Sequence, residues 1–423
     1  MDENGRSEVS GPGDRGMGEE AKRPSSSKAT SHMNDPLHAS AADNLDSLLV
    51  CAQPHVDSDS LKQIVALAAS EPNWAAILKA ASEHSLAPIF CRNVEAYAGD
   101  ALPSSWRQRF NQEFLRTSCR NLALTAELFR VLEALEIHGV RATPYKGPVL
   151  AAQAYGDAAM REFSDLDIIV PQPQIVAANR ALIALGFRPL ISGLDPSESL
   201  QQIPGQYAYR KDTETLVEVH TEFTLRYFPQ RLNLEELYER REFVQVAGRQ
   251  VLTFSAEDTL LLLCVHGSKH LWERLGWIAD IAALAGGSRP LDWTLVMERA
   301  RRWGISRMVL LGAGLAAQVF HMPLPRGVAD CLKRDAVAGR LIVGIRQRFF
   351  AAEPVKLGVV SRFAFRVRMR GSLAQGLPYA MRLALMPTEF DRGQHGHYFE
   401  PLYALLRPLR LARTYGWRTP GGH

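Results

Sequence analysis

The residues best suited to chemistry lie in two short stretches, REFSDLDIIV at positions 161–170 and TLVEVH at 215–220. Asp165 and Asp167 stand two apart in an apolar run that reads as a strand. Both carboxylates therefore leave one face, roughly 6 to 7 Å apart along the backbone. Two acids aimed at one spot repel unless a cation sits between them. Glu218 and His220 repeat the spacing, with Val217 and Val219 turned the other way into a core. Three acids on one patch make a hard, oxygen-rich site suited to Mg²⁺ or Mn²⁺. A D-x-D alone is a common motif at solvated strand edges, so its context decides. Leu166, Ile168, Ile169 and Val170 imply a buried strand, where uncompensated charge is expensive, and Pro171 ends it.

Positioning these acids requires a sheet, and the surrounding pattern supplies one. A strand near Val140–Tyr145 is expected first, then Lys146-Gly147-Pro148 and a helix from Val149 to Tyr155. The acid-bearing strand follows, then a helix from about Gln174 to Leu185 closed by Gly186. "FRPL" reads as a further strand, and Gln206–Arg210 pairs with Leu216–His220 as a hairpin around "KDTET". Residues 44–139 before this core are helical by periodicity, with Gly139 as a C-cap. After it, Ser255 opens a helix as N-cap with Asp258 three residues on, followed by "LGWIADIAALAG" and more helices. The expected organisation is a disordered tail over 1–43, a helical region over 44–139, an α/β core over 140–253 and a helical region over 254–423.

Composition bounds the partners. At 423 residues the chain exceeds one typical core. Its five scattered cysteines form no C-x-x-C pair, which fits a reducing, cytoplasmic setting. The first 43 residues are rich in Gly, Ser, Pro and charge without an apolar core, unlike a signal peptide. Met308–Phe320 is uncharged but too short to span a bilayer and contains Gly312 and Gly314, which suits a buried helix, so no transmembrane segment is expected. From Cys331 onward sixteen Lys or Arg face five Asp or Glu, so an anionic partner is possible for this end. No RNA- or DNA-binding signature accompanies that charge.

Other polar residues have plainer readings. His266 and His270 have the spacing of a zinc pair, but "GSK" between them lacks the Glu of an H-E-x-x-H helix, which favours a structural role. Trp272, Trp277, Trp293 and Trp303 fall at helical spacing and read as core. His395 and His397 read as a surface loop.

The segments YKGPVLAAQAYGDAAMREFSDLDIIV, VEVHTEF, LLCVHGSKHLWERLGWIADIAAL and LLRPLRLARTYG, in that order, resemble an uncharacterised bacterial nucleotidyltransferase family of the DNA polymerase β-like superfamily. The resemblance runs over roughly residues 60 to 418. It implies an α+β fold, a minimal nucleotidyltransferase core of mixed sheet and helices flanked by helical regions. It also implies two Mg²⁺ or Mn²⁺ ions held by Asp165, Asp167 and Glu218, with an NTP, ATP included, as co-substrate. Lys146-Gly147 stands where the superfamily usually has Gly-Ser, 19 residues before Asp165, a longer interval than is usual.

On this reading Lys146 and Gly147 bind phosphate, the glycine allowing close backbone approach at a helix N-terminus. Arg161 braces an acid or touches phosphate, Ser164 orients Asp165 or donates to phosphate, and Lys269 reaches the phosphates from its helix. His220 supports the metal ligands or contacts the acceptor. The expected reaction moves a nucleoside monophosphate to a small molecule, peptide or protein and releases pyrophosphate. A nucleotide-sensing or interaction module on the same fold is the alternative, and a D-x-D sugar transferase fits the third carboxylate less well. All of this requires Glu218 to face the same side of the sheet as the two aspartates.

Overall fold

Apolar residues at three- and four-residue intervals wind the first part of the chain into helices. The computed structural model describes residues 41–190, 205–211, 215–222, 233–287, 289–351, 355 and 357–385. Its first elements are α1 (Ala41–Cys51), α2 (Ser58–Ala69), α3 (Trp74–Glu83), α4 (Ala87–Ala98) and α5 (Ser104–Ile137). The tail expected over 1–43 lies outside the described residues as far as residue 40, as do His395 and His397. Asp57 and Asn73 cap α2 and α3 by accepting from the N–H groups of Ser60 and Ala76.

Helix α5 ties the molecule together. Its 34 residues span about 50 Å at the α-helical rise. Phe110, near its start, packs with Trp74 and Phe90 in an all-helical core. Leu124, Leu128, Val131 and Leu135, further along, enter a second core under the sheet. Between these two ends, Asn121 is 1% exposed. Its amide donates to the carbonyls of Ala158 and Arg161, both at 2.8 Å. Arg120 donates to the carbonyl of Phe163. Two consecutive side chains of α5 thus grip the segment that leads into Asp165.

The sheet follows: β1 (Thr143–Pro144), α6 (Gly147–Tyr155), β2 (Asp165–Ile169), α7 (Ile175–Ala184), β3 (Arg188–Pro189), β4 (Gln206–Arg210) and β5 (Leu216–His220). Strand order is β1-β2-β5-β4-β3, with β2 and β5 parallel and the other pairs antiparallel. The fold is α+β, a mixed five-stranded sheet flanked by helices. Leu166, Ile168, Val217 and Val219 point into the core shared with α5 and α7.

Two expected strands are shorter than their sequence suggested. The strand over 140–145 shrinks to two residues, because Gly147 at φ +55° turns the chain into α6. "FRPL" contributes only Arg188–Pro189 at the sheet edge, where Pro189 has no N–H to extend a ladder. A separate hairpin, β6 (Glu242–Val246) with β7 (Arg249–Thr253), follows α8 (Leu234–Glu239). Ala247 and Gly248 both have positive φ at its turn.

The remaining helices include α9 (Ala256–Lys269), α10 (Leu275–Ala285), α11 (Trp293–Arg302), α12 (Ser306–Val319), α13 (Arg326–Arg334), α14 (Ala336–Phe349), α15 (Val359–Arg368) and α16 (Leu373–Leu385). Ser255 caps α9 through the N–H of Asp258, as its sequence implies. Leu271 and Trp272 then take φ of 56° and 55° and reverse the chain into α10. These left-handed residues are held by burial. The Trp272 ring fills a socket that a Cβ at Gly267 would enter at 2.4 Å and one at Gly312 would meet at 3.2 Å. Gly276, at the start of α10, donates to His84 O at 2.9 Å, and a Cβ there would also come within 2.9 Å of that oxygen.

Replacing Asn121 tests the grip of α5 on the acid-bearing segment. Asn121→Ala should lower unfolding free energy by about 2 kcal/mol, because two half-buried carbonyls lose their donor. Leu122→Ala, at a position 64% exposed, should change it by less than about 0.5 kcal/mol. Urea titrations of the two proteins make the comparison, and equal midpoints would mean that other groups hold the segment.

Candidate active site

The parallel pair sets the geometry. Asp167 lies opposite Glu218 and Ile169 opposite His220 in the β2–β5 register. With Val217 and Val219 in the core, Glu218 and His220 face the same side as Asp165 and Asp167. Asp167 is the centre of the group, its side chain 3% exposed. Its Oδ1 accepts from Lys146 Nζ at 3.0 Å and from His220 Nε2 at 2.9 Å, with the Tyr145 hydroxyl at 3.5 Å. Glu218 Oε2 accepts from Gln206 Nε2 at 2.5 Å and lies 3.7 Å from His220 Nε2. Ligand atoms of Asp167, Glu218 and His220 all fall within 4.8 Å of one another. Asp165, one step back along β2, shares their face and stands outside this tightest trio.

The burial of so much charge separates the three acids. Burial pushes Asp167 up, but Lys146 and His220 outweigh it and hold the carboxyl below the usual range. Burial and then the charge of Asp167 raise Asp165. Glu218 is pushed up to about 7, by burial first and then by Asp167 and Asp165. Burial lowers His220 despite Asp167, so its imidazole is neutral at pH 7. Because an ionised carboxylate only accepts, Nε2 of His220 carries the hydrogen in its bond to Asp167.

A cleft of about 510 Å³ opens beside Asp165 and Asp167. Its walls include Lys146, Ser164, Arg161 and Asp280, and on the far side His266, His270 and Trp277 from α9 and α10. Arg161 lines the cleft, and its charge lowers Asp165. It forms a two-point bridge to Asp280 at 2.9 and 3.0 Å, and Tyr155 donates to the same carboxylate at 3.0 Å. The bridge joins the segment before β2 to α10, across the cleft. Ser164 is exposed at the rim. Lys269 sits in the last turn of α9, half-buried, and its charge is felt by His220 and His266. Gly147 begins α6, and a Cβ there would stand 3.1 Å from Asp165 O, so only glycine fits both this approach and φ +55°.

Several neighbours had no sequence signal of their own. Gln206 comes to Glu218 through the β4–β5 hairpin, which the sequence does reveal, yet nothing in the pattern marks Gln206 as polar by function. Asp280 is one acid in an apolar helix, and its buried partner Arg161 lies 119 residues away. Trp277, expected in the core, is half-buried and lines the cleft.

The donor set fits a hard divalent cation. A buried and a half-buried carboxylate repel across adjacent strands, Glu218 ionises only at a cost, and carboxylate oxygens suit Mg²⁺ or Mn²⁺. The cleft walls also carry six acids against three Lys or Arg, a balance that would repel a triphosphate without added positive charge.

Glu218 gives this electrostatic picture a measurable consequence. With a folded value near 7 against an ordinary 4.5, the folded chain holds a proton there that the unfolded chain has released. On this account stability falls as pH rises from about 4.5 to 7 and stays low above it. Glu218→Gln should therefore raise the unfolding free energy of the metal-free protein at pH 8 by about 1 to 3 kcal/mol, with no gain at pH 4. The same variant should bind Mn²⁺ more weakly by electron paramagnetic resonance titration. A variant less stable than the parent at pH 8 would contradict the repulsion.

The model of a family described as uncharacterised nucleotidyltransferase matches residues 70–321, more than half of the 423 residues. No curated protein matches the chain. Among solved structures, the antibiotic-resistance factor ANT(2'')-Ia, determined in solution, is similar at 13% identity over 54% of this chain and 94% of that one, with a TM-score of 0.27. So loose an overlay adds nothing about mechanism. Among the described residues no helix is long and apolar enough to cross a membrane. The first three of the expected segments fall within this span and LLRPLRLARTYG, at 405–416, lies beyond it and outside the described residues; by the match over 70–321, the chain belongs to the uncharacterised nucleotidyltransferase family.

Proposed function

We propose that the protein transfers a nucleoside monophosphate from an NTP to an acceptor, with release of pyrophosphate, through a divalent-cation site built on Asp165, Asp167 and Glu218. The observation that carries this reading is the facing of Asp167 and Glu218 across parallel strands, with His220 bonded to Asp167. These carboxylates would hold Mg²⁺ or Mn²⁺, two ions in the fullest form of the site. When bound, the ions supply positive charge to the transferring phosphate and make the acceptor oxygen a better nucleophile.

The chain's own residues then have separate tasks. Lys146, 3.0 Å from Asp167, would turn its ammonium to the triphosphate if a cation took its place beside that carboxylate. Gly147 brings the backbone at the start of α6 close to the same phosphates. Ser164 and Lys269 add donors from the rim and from α9. Arg161 serves through its bridge to Asp280, which keeps the two walls of the cleft in register. His220 fixes Asp167 with its neutral N–H.

The arrangement separates the two substrates. Asp165, Asp167 and Lys146 line the cleft, whereas Glu218 and His220 flank Asp167 from β5 and do not line it. The nucleotide enters through the cleft and the acceptor approaches from the Glu218 side. A bond forms from the acceptor oxygen to the α-phosphorus as the bond to the bridging oxygen breaks. Pyrophosphate leaves with that electron pair. The acceptor's proton passes to a carboxylate of the Glu218 side and on to water. Catalysis by position and charge needs little else from the protein. The acceptor is a small molecule, a peptide or a protein side chain.

Incubating the protein with mixed NTPs, Mg²⁺ and candidate acceptors, then weighing the products by mass spectrometry, names both nucleotide and acceptor. Asp167→Asn should lower the rate of pyrophosphate release by about 10² to 10⁴, equivalent to about 3 to 5 kcal/mol of transition-state stabilisation. Full activity in that variant would exclude the mechanism. Nucleotide binding without pyrophosphate release across a broad acceptor set would instead favour a sensing module.

A further inference from the structure

The cleft has more aromatic surface than a phosphate needs. His266 and His270 are one turn apart on α9, with ring centroids 4.6 Å apart. Trp277 of α10 closes the group, 5.2 Å from His266 edge-on and 5.4 Å from His270 in a tilted contact. All three line the cleft opposite Asp165 and Asp167. The reversal at Leu271 and Trp272 is what brings α10 back against α9, and Gly276 seats its first turn on His84.

Their chemistry is unlike that of a charged site. Burial, then Lys146 and His270, keeps His266 well below the ordinary imidazole range. Burial and then Lys269 bring His270 to about 3. Both rings are uncharged at neutral pH, and neither hydrogen-bonds to any of the described residues. Each offers one N–H and one bare nitrogen. Arg274 extends the surface, its guanidinium 6.0 Å from the Trp277 ring centre.

The aromatic group adjoins the polar part of the cleft, since Lys146 acts on both imidazoles and Asp167 on His266. The cleft therefore combines a lysine and the two aspartates of β2 with two imidazoles and an indole, as a phosphate and a planar base would need.

We propose that Trp277, with His270 and His266 beside it, is the platform for the nucleobase of the NTP, the indole stacking on the base while the imidazoles address its edge. This rests on the reading of the cleft as an NTP site and adds the subsite that distinguishes a nucleotide from bare polyphosphate. Stacking of a base on an aromatic side chain is sequence-tolerant. Selection among bases therefore falls to the two imidazoles.

Isothermal titration of the full chain with Mg²⁺ and either a non-hydrolysable α,β-methylene ATP analogue or tripolyphosphate tests the assignment. The parent should bind the analogue about 10- to 100-fold more tightly than tripolyphosphate. Trp277→Ala should remove most of that difference and leave tripolyphosphate affinity within about twofold, whereas Trp277→Phe should retain it. Because Trp277 also packs on the helical core, His270→Ala provides a second reading, with an expected loss of about three- to tenfold for the analogue alone. If the parent binds both ligands equally, or if the substitutions weaken both to the same degree, the platform is overturned while the phosphate site stands. If the parent binds neither, the NTP reading falls and the platform with it.

Discussion

The buried carboxylate of Asp167 is the constraint on which the rest of this structure turns. At 3% exposure it is almost wholly buried at the wall of the cleft, and ionised carboxylates survive there only with partners. Lys146 and His220 supply them on one oxygen. For the neighbouring acids burial and mutual repulsion outweigh the help they receive from Lys146, Arg161 and Gln206, and they hold protons more tightly than free carboxyls do. A fold gains nothing in stability from this arrangement. Its cost is offset by the apolar face of the same strands, where Leu166, Ile168, Val217 and Val219 are within about 1% of full burial. One sheet thus carries its stability on one face and its charge on the other.

Rigidity around the acids comes from distant parts of the chain. Asn121 and Arg120 of α5 hold the carbonyls just ahead of β2, and α5 itself is anchored in two cores. The Arg161–Asp280 bridge and the Tyr155 hydroxyl then fix α10 to that same segment. A buried ion pair of this kind contributes little net stability, because desolvation cancels much of the attraction. Its value is geometric, since two-point bonding by a guanidinium defines both distance and orientation. The unsubstituted Gly267 and Gly312, by accepting Trp272, carry the same logic into the helices behind the cleft.

The strands that carry charge were legible in the sequence because alternation is a local signal. D-x-D and E-x-H each place their side chains on one face by the period of two, and the β4–β5 pair has the residues expected of it, Gln206–Arg210 with Leu216–His220. Gly139 and Gly186 both follow helices at positive φ, as their positions suggest. The hairpin at 242–253 was not recognised, although FVQV and RQVL alternate around Ala247-Gly248, because the helical patterns on either side dominate. Long-range pairs were beyond reach. Nothing local distinguishes Arg161 as the partner of Asp280, or Gln206 as the donor to Glu218, since those contacts exist only after the sheet and α10 have come together. His220 was placed beside the metal ligands, and the structure puts its Nε2 within the tightest group of ligand atoms, a distinction that spacing alone cannot make.

The position of Lys146 connects electrostatics to the order of events. An ammonium at 3.0 Å from Asp167 neutralises the acid as a monovalent cation can, but its help to Glu218 and Asp165 is outweighed by burial and by Asp167. A divalent ion held by these carboxylates would supply more charge than the ammonium does, and Lys146 would then be available to a triphosphate in the adjoining cleft. On that reading cation and nucleotide would favour each other's binding through a shared residue, as linkage requires. On the proposed reading, Asp167 on β2 and Glu218 on β5 would hold the cation between neighbouring strands, with Asp167 lining the cleft that would take the nucleotide.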